Sequence, residues 1–127
     1  MAGSAAVREP VAPADHCNEV HLVGRLAADP VRRELPSGDV LVQFRVVVER
    51  GPEVRSAGRR SPTVDTIDCS AWRKGVQRSV SGCLPGDLVE VDGALRRRFW
   101  RSPGGPASRS EVEALRVRRV RRVAPQA

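Results

Sequence analysis

Nowhere does the chain hold a run approaching the roughly 18 apolar residues that a membrane helix needs, and its N-terminus carries no apolar h-region. Both absences argue against membrane spanning and classical secretion. Cysteine is sparse: Cys17, Cys69 and Cys83 are odd in number and share no CxxC spacing. A disulfide framework needs more of them, and a zinc site brings paired ligands close together in sequence. Adjacent His16 and Cys17, with His21 beyond, form no such set, so reduced thiols without metal or other cofactor are the reading. Catalytic signatures are missing too. There is no GxxxxGK(S/T), no HExxH and no serine in a GxSxG setting. Asp65 and Asp68 face opposite sides of a strand, and Glu90 and Asp92 share a face but suit salt bridges to nearby arginines. The chain is therefore not read as an enzyme. Lysine is nearly absent: Lys74 is the only one, so almost all positive charge is arginine.

What remains is a soluble globular composition, 40% hydrophobic and 29% charged, in 127 residues that suffice for one domain. Basic residues outnumber acidic ones by 22 to 15, a net charge of +7. That balance favours a polyanionic partner, nucleic acid first.

Residues 1–16 are rich in Ala, Pro and Gly without periodicity and read as a disordered leader. Alternation begins near Asn18, where Val20, Leu22 and Leu26 share one face of a strand. Gly24 interrupts that face, as where a strand bends or a neighbouring backbone comes close. A short extension, Val31 to Leu35, precedes the Pro36–Asp39 turn. The second strand points Val40, Val42, Phe44, Val46 and Val48 inward, and Gln43, Arg45 and Glu49 outward. A polar loop from Arg50 to Pro62 carries Arg55, Arg59 and Arg60. The third strand, Val64 to Trp72, sets Ile67, Cys69 and Ala71 against Thr66, Asp68, Ser70 and Trp72. Val76, Val80 and Cys83 or Leu84 then fall at helical spacing before the Pro85–Asp87 turn.

The fourth strand, Leu88 to about Trp100, sets Val89, Val91, Gly93 and Leu95 against Glu90, Asp92, Arg96, Arg98 and Trp100. A flexible loop from Arg101 to Arg109 leads to a last segment beginning at Glu111. There Leu115 and Val117 alternate like a strand, while Val117, Val120 and Val123 recur every third residue. A fifth strand fraying into a basic tail, 119–127, is expected. Five long strands with one short helix between the third and fourth match an all-β, five-stranded Greek-key barrel, the OB-fold, over 17–118.

Trp72 and Trp100 fall on the polar parity of their strands, where a large ring costs solvation unless something covers it. Packing under a loop or against another subunit is one reading. The other is base stacking, which binds single strands without reading sequence. Arg73 and Lys74 adjoin Trp72, and Arg96, Arg97 and Arg98 lead into Trp100. Arginine both stacks on bases and pairs with phosphate.

From Asn18 to Val117 these residues resemble the bacterial single-stranded DNA-binding protein family. The resemblance is carried by Asn18–Leu26 with Asp29-Pro30, Ser37-Gly38 before Val42–Val46, Asp68–Lys74, Pro85–Arg96 with Arg98–Trp100, and Ser110–Val112. It implies an OB-fold protomer, usually a homotetramer, that wraps single-stranded DNA in cytoplasmic, nucleoid-associated replication, recombination and repair. It places Trp72 and Trp100 at stacking positions and Lys74, Arg96 and Arg98 on the DNA path. Together with Arg45 and Arg73, these are the expected DNA-binding residues. Two departures are visible. Aromatics that some members carry near Pro52 and Thr66 are absent. The chain also ends at Ala127 without the acidic, hydrophobic tip that recruits partner proteins, so a short paralogue without tip-mediated recruitment is expected. Two further readings stay open: an OB-fold interaction module with weak DNA affinity, and a single-stranded RNA binder, since no residue selects against a 2′-hydroxyl.

Overall fold

The computed structural model describes residues 12–51 and 63–123. The expected leader up to residue 11, the loop arginines Arg55, Arg59 and Arg60, and the last four residues of the tail lie outside the described residues. Within the leader, Pro13–Asp15 form one 3-10 turn, held by the Asp15 carboxylate accepting from the Ala12 N–H at 3.0 Å.

The alternating segments become six strands and one helix: β1 (Val20–Leu26), β2 (Val31–Glu34), β3 (Val40–Glu49), β4 (Val64–Ala71), α1 (Lys74–Ser81), β5 (Leu88–Ser102) and β6 (Gly105–Arg121). In space the strands run β1-β5-β6-β4-β3-β2, and an added β1–β3 pairing closes the barrel. The five principal strands form the expected OB-fold, with β2 laid along β3 as a short exposed flap. All pairings are antiparallel except β4 with β6.

The core is filled by the expected inward parity. Leu26, Val42, Phe44, Val46, Val89 and Val91 are buried together with Val76 and Val80 of α1. Those two valines lie four apart, on one helical face. Gln77 holds the helix in place, its amide nitrogen within 3.1 Å of the Val40, Ala71 and Trp72 carbonyls. Burial pushes the Cys69 thiol up to about 12, helped by the nearby Asp68 and Glu111 charges. Exposed Cys17 is the accessible thiol among the three.

Four sequence expectations are corrected. The stretch Arg101–Arg109 is not a flexible loop but the end of a long hairpin. Its strands stay paired out to Ser102 and Gly105, leaving Pro103-Gly104 as the connection. Gly105 takes φ +117°, which a side chain disfavours, and Ser102 Oγ bonds its carbonyl at 2.6 Å. The fifth strand consequently starts well before Glu111 and runs through Arg121, into the expected tail. Its mixed periodicity has a cause: register shifts against β5 leave Leu115 and Val120 as extra residues, so the inward parity passes from Val112 and Ala114 to Val117. Leu95 keeps its parity opposite Val112, yet it is half exposed where β5 leaves the barrel. The third strand stops at Ala71, leaving Trp72 in the link to α1.

Two glycines permit closure. A Cβ on Gly24 would strike the Val47 carbonyl oxygen, where β1 passes from pairing with β5 to pairing with β3. A Cβ on Gly93 would strike the Glu113 carbonyl oxygen of β6. Gly24→Ala and Gly93→Ala are each expected to lower stability by about 1–3 kcal/mol, measured by denaturant unfolding, because backbone must shift to admit the methyl.

Asp87 ties the barrel's end. It is fully buried and accepts from the Leu84 N–H at 2.9 Å and the Val123 N–H at 2.8 Å. Those two bonds hold its carboxyl below the usual range. A depressed carboxyl stabilises the fold above its ordinary pKa, and that contribution is lost as pH falls through the folded value. Asp87→Asn should therefore have a lower Tm at neutral pH, and a shallower fall in Tm between about pH 5 and 3 than the wild type.

Candidate nucleic-acid interface

The outward residues of β2, β3 and β4 and the base of the β5–β6 hairpin enclose a groove with two cavities, of about 420 and 310 Å3. Arg33, Gln43 and Arg109 line both. The β3 pleat explains Gln43 and Arg45: each alternates with the buried core residues Val42, Phe44 and Val46. The smaller cavity has an apolar side, where Leu35 and fully buried Leu41 meet Trp100. Leu41 lies outside the barrel's core cluster, so its burial belongs to this groove.

Trp100 is 48% exposed at the cavity, with Arg98 and Arg109 paired beside it across the hairpin. Trp72 is different. The Arg98 guanidinium sits 4.8 Å over its ring, within cation–π range, and its Nε1–H donates to buried Ser70 at 3.2 Å. Arg98 also pairs with Glu111, whose side chain is almost fully buried, at 2.9 Å. Trp72, Arg98 and Glu111 thus form one stack. The indole presents itself capped by a guanidinium, not bare.

Carboxylates engage three of the expected arginines: Arg45 pairs with Asp68 at 2.9 Å, Arg96 with Glu113 at 3.0 Å, and Arg98 with Glu111. Arg33 and Arg109 have no ion pair among the described residues. Asp29, which lines the larger cavity and is likewise without an ion pair, offsets one of them, so the unpaired side chains of the groove carry a net positive charge. Glu90 serves Arg118 and, with Asp92, the exposed His21 ring, whose pKa the Asp92 hydrogen bond raises.

Of the seven expected residues, the structure brings Arg45, Arg98 and Trp100 to the groove and joins Trp72 to it through Arg98. Arg96 lies on β5 outside both cavities. Arg73 and Lys74 stand at the start of α1, and Lys74 lines a separate cavity of about 290 Å3 with Arg32 and Arg78. Sequence reasoning passed over Arg33, Gln43, Arg109 and Phe99. Arg33 and Arg109 sat in segments read as an extension and a flexible loop. Recognising Pro103-Gly104 as a hairpin turn would have continued the alternation and placed Arg109 opposite Arg98.

Residues 17–120 match the family model described as the single-strand binding protein family. Over 88 residues the chain is 34% identical to a single-stranded DNA-binding protein of Oceanobacillus iheyensis, covering 69% of this chain and 53% of that protein. It is likewise 32% identical over 111 residues to the single-stranded DNA-binding protein of Deinococcus radiodurans, covering 87% of this chain and 36% of that one. The chain thus spans about half the length of the first of these relatives and less of the second. A solved structure of Plasmodium falciparum SSB in complex with ssDNA superposes with a TM-score of 0.65 at 20% identity, over 80% of this chain and 91% of that one. The fold, the aligned sequence and the family match agree: this chain belongs to the single-strand binding protein family.

Proposed function

We propose that the chain binds single-stranded DNA with little sequence preference, in replication, recombination and repair. Bases stack on Trp100 and on the Arg98-capped Trp72, while Arg33 and Arg109 face the phosphates. The observation that carries this reading is the half-exposed Trp100 set among three arginines on the groove face of the barrel. An exposed indole costs solvation alone but gains a stacking partner in any base. Family membership and the ssDNA-bound Plasmodium falciparum neighbour support it. The test is intrinsic tryptophan fluorescence on adding oligo(dT), oligo(U) and duplex DNA. Quenching by oligo(dT) well below the concentration needed for the others supports the proposal, and equal response to duplex DNA overturns it.

Trp100→Ala should weaken oligo(dT) binding by about 1–3 kcal/mol and lower Tm by less than Trp72→Ala, since the half-exposed ring covers only Leu35 and Leu41 and lies outside the core. Trp72→Ala should weaken binding and also lower Tm, because it removes both the cation–π seat of Arg98 and the bond to Ser70. Equal Tm in the two variants would contradict this division.

Counterion release sets a slope of about 0.7 in log K against log salt for each phosphate neutralised on a single strand. Arg33→Ala with Arg109→Ala should flatten that slope by about 1.4, two phosphates' worth. Arg96→Ala with Arg98→Ala should flatten it less, since carboxylates already offset those charges.

A further inference from the structure

We propose that Phe99 is a second base-stacking platform, on the face of the hairpin opposite the groove. The proposal rests on the single-strand binding argued above and adds a site to it. Phe99 is 74% exposed, the most open large apolar side chain among the described residues. It borders the smaller cavity beside Trp100, but strand alternation turns its ring to the other face of the ribbon. Three contacts fix that face. The Arg97 guanidinium, two residues back, lies 5.9 Å from the phenyl centroid. Arg97 Nη2 donates to Ser108 Oγ at 3.0 Å, and Ser108 is the cross-strand partner of Phe99. The neighbours across the ribbon on that face, Pro106, Ser108 and Ser110, are small and leave the ring open apart from the Arg97 guanidinium.

Two occupants could cover such a ring: a base, or the hairpin of a second copy. Charge decides between them. From Arg96 to Ser110 the hairpin holds five arginines, of which Arg96 and Arg98 are paired with Glu113 and Glu111, while Arg97, Arg101 and Arg109 have no ion pair among the described residues. Hairpins of two copies meeting face to face would bring like charges together, whereas a polynucleotide supplies both a π-face for the phenyl and phosphates for Arg97 and Arg101. The hairpin then offers an aromatic on each face, Trp100 toward the groove and Phe99 away from it, so one strand can contact both.

Oligo(dT) is titrated into the wild type, Phe99→Ala and Phe99→Trp, and each protein is sedimented without DNA. Phe99→Ala should bind on the order of tenfold more weakly. Phe99→Trp should keep wild-type affinity, and its added indole should be quenched by the oligonucleotide. Wild-type affinity in Phe99→Ala, or an added indole blind to DNA, overturns the second platform while leaving the groove intact. A wild type that does not bind oligo(dT) overturns the groove and the platform together. A smaller sedimenting species for Phe99→Ala alone would assign the phenyl to a second copy of the chain and overturn the proposal.

Discussion

Closing a strongly bent sheet on itself brings backbones nearer than a side chain allows, and two glycines make that approach possible. At Gly24 the backbone of β1 meets the Val47 carbonyl just where β1 exchanges β5 for β3 as its partner. At Gly93, β5 meets the Glu113 carbonyl where the β5–β6 ladder changes register. The exposed β5–β6 hairpin hangs on the second of these. Before Gly93, β5 contributes Val89 and Val91 to the core; after it, the same strand leaves the barrel and carries Arg96 to Trp100 outward. One continuous strand thus joins the barrel's hydrophobic interior to its exposed hairpin.

Charge on that exposed surface is not spread evenly. The net excess of positive charge is large, but carboxylates of β4 and β6 engage many of the arginines nearest the groove. The exposed pairs Arg45–Asp68 and Arg96–Glu113 contribute little to stability, whereas Glu111 is almost fully buried. Their effect here is positional: Glu111 fixes Arg98, and Arg98 fixes the environment of Trp72. An anionic ligand would meet pre-set guanidinium planes together with two cations held in no ion pair, Arg33 and Arg109. The groove therefore pairs ordered stacking surfaces with free charge, which suits a flexible chain of bases and phosphates.

The hairpin turn shows how a few residues redirect a reading. Pro, Gly and Ser between Arg101 and Arg109 look like loop composition, and in many chains they are. Here Pro103-Gly104 occupies only the connection itself, with Gly105 in a left-handed conformation, while the flanking Ser, Ala and Arg residues stay in the ladder. Composition could not separate a long loop from a long hairpin, because the cross-strand pairs that decide between them are non-local.

Alternation by itself determined the barrel. The inward parities of β1, β3, β4 and β5 and the helix carrying Val76 and Val80 follow from local pattern, since a period of two or of 3.6 is written in neighbouring residues. The polar parity of Trp100 was equally legible. Tertiary structure decided what those side chains face. Trp72 shares its parity with Asp68 and Ser70, yet it is covered by an arginine 26 positions later in the chain. Lys74 is two residues from Trp72, yet α1 carries it to a different cavity. Leu115 and Val120 broke the period of β6 because bulges count against a partner strand, which no single segment contains. Pattern is a local property and so can be read along the chain; a site is a coincidence of distant segments, and only the folded barrel brings them together.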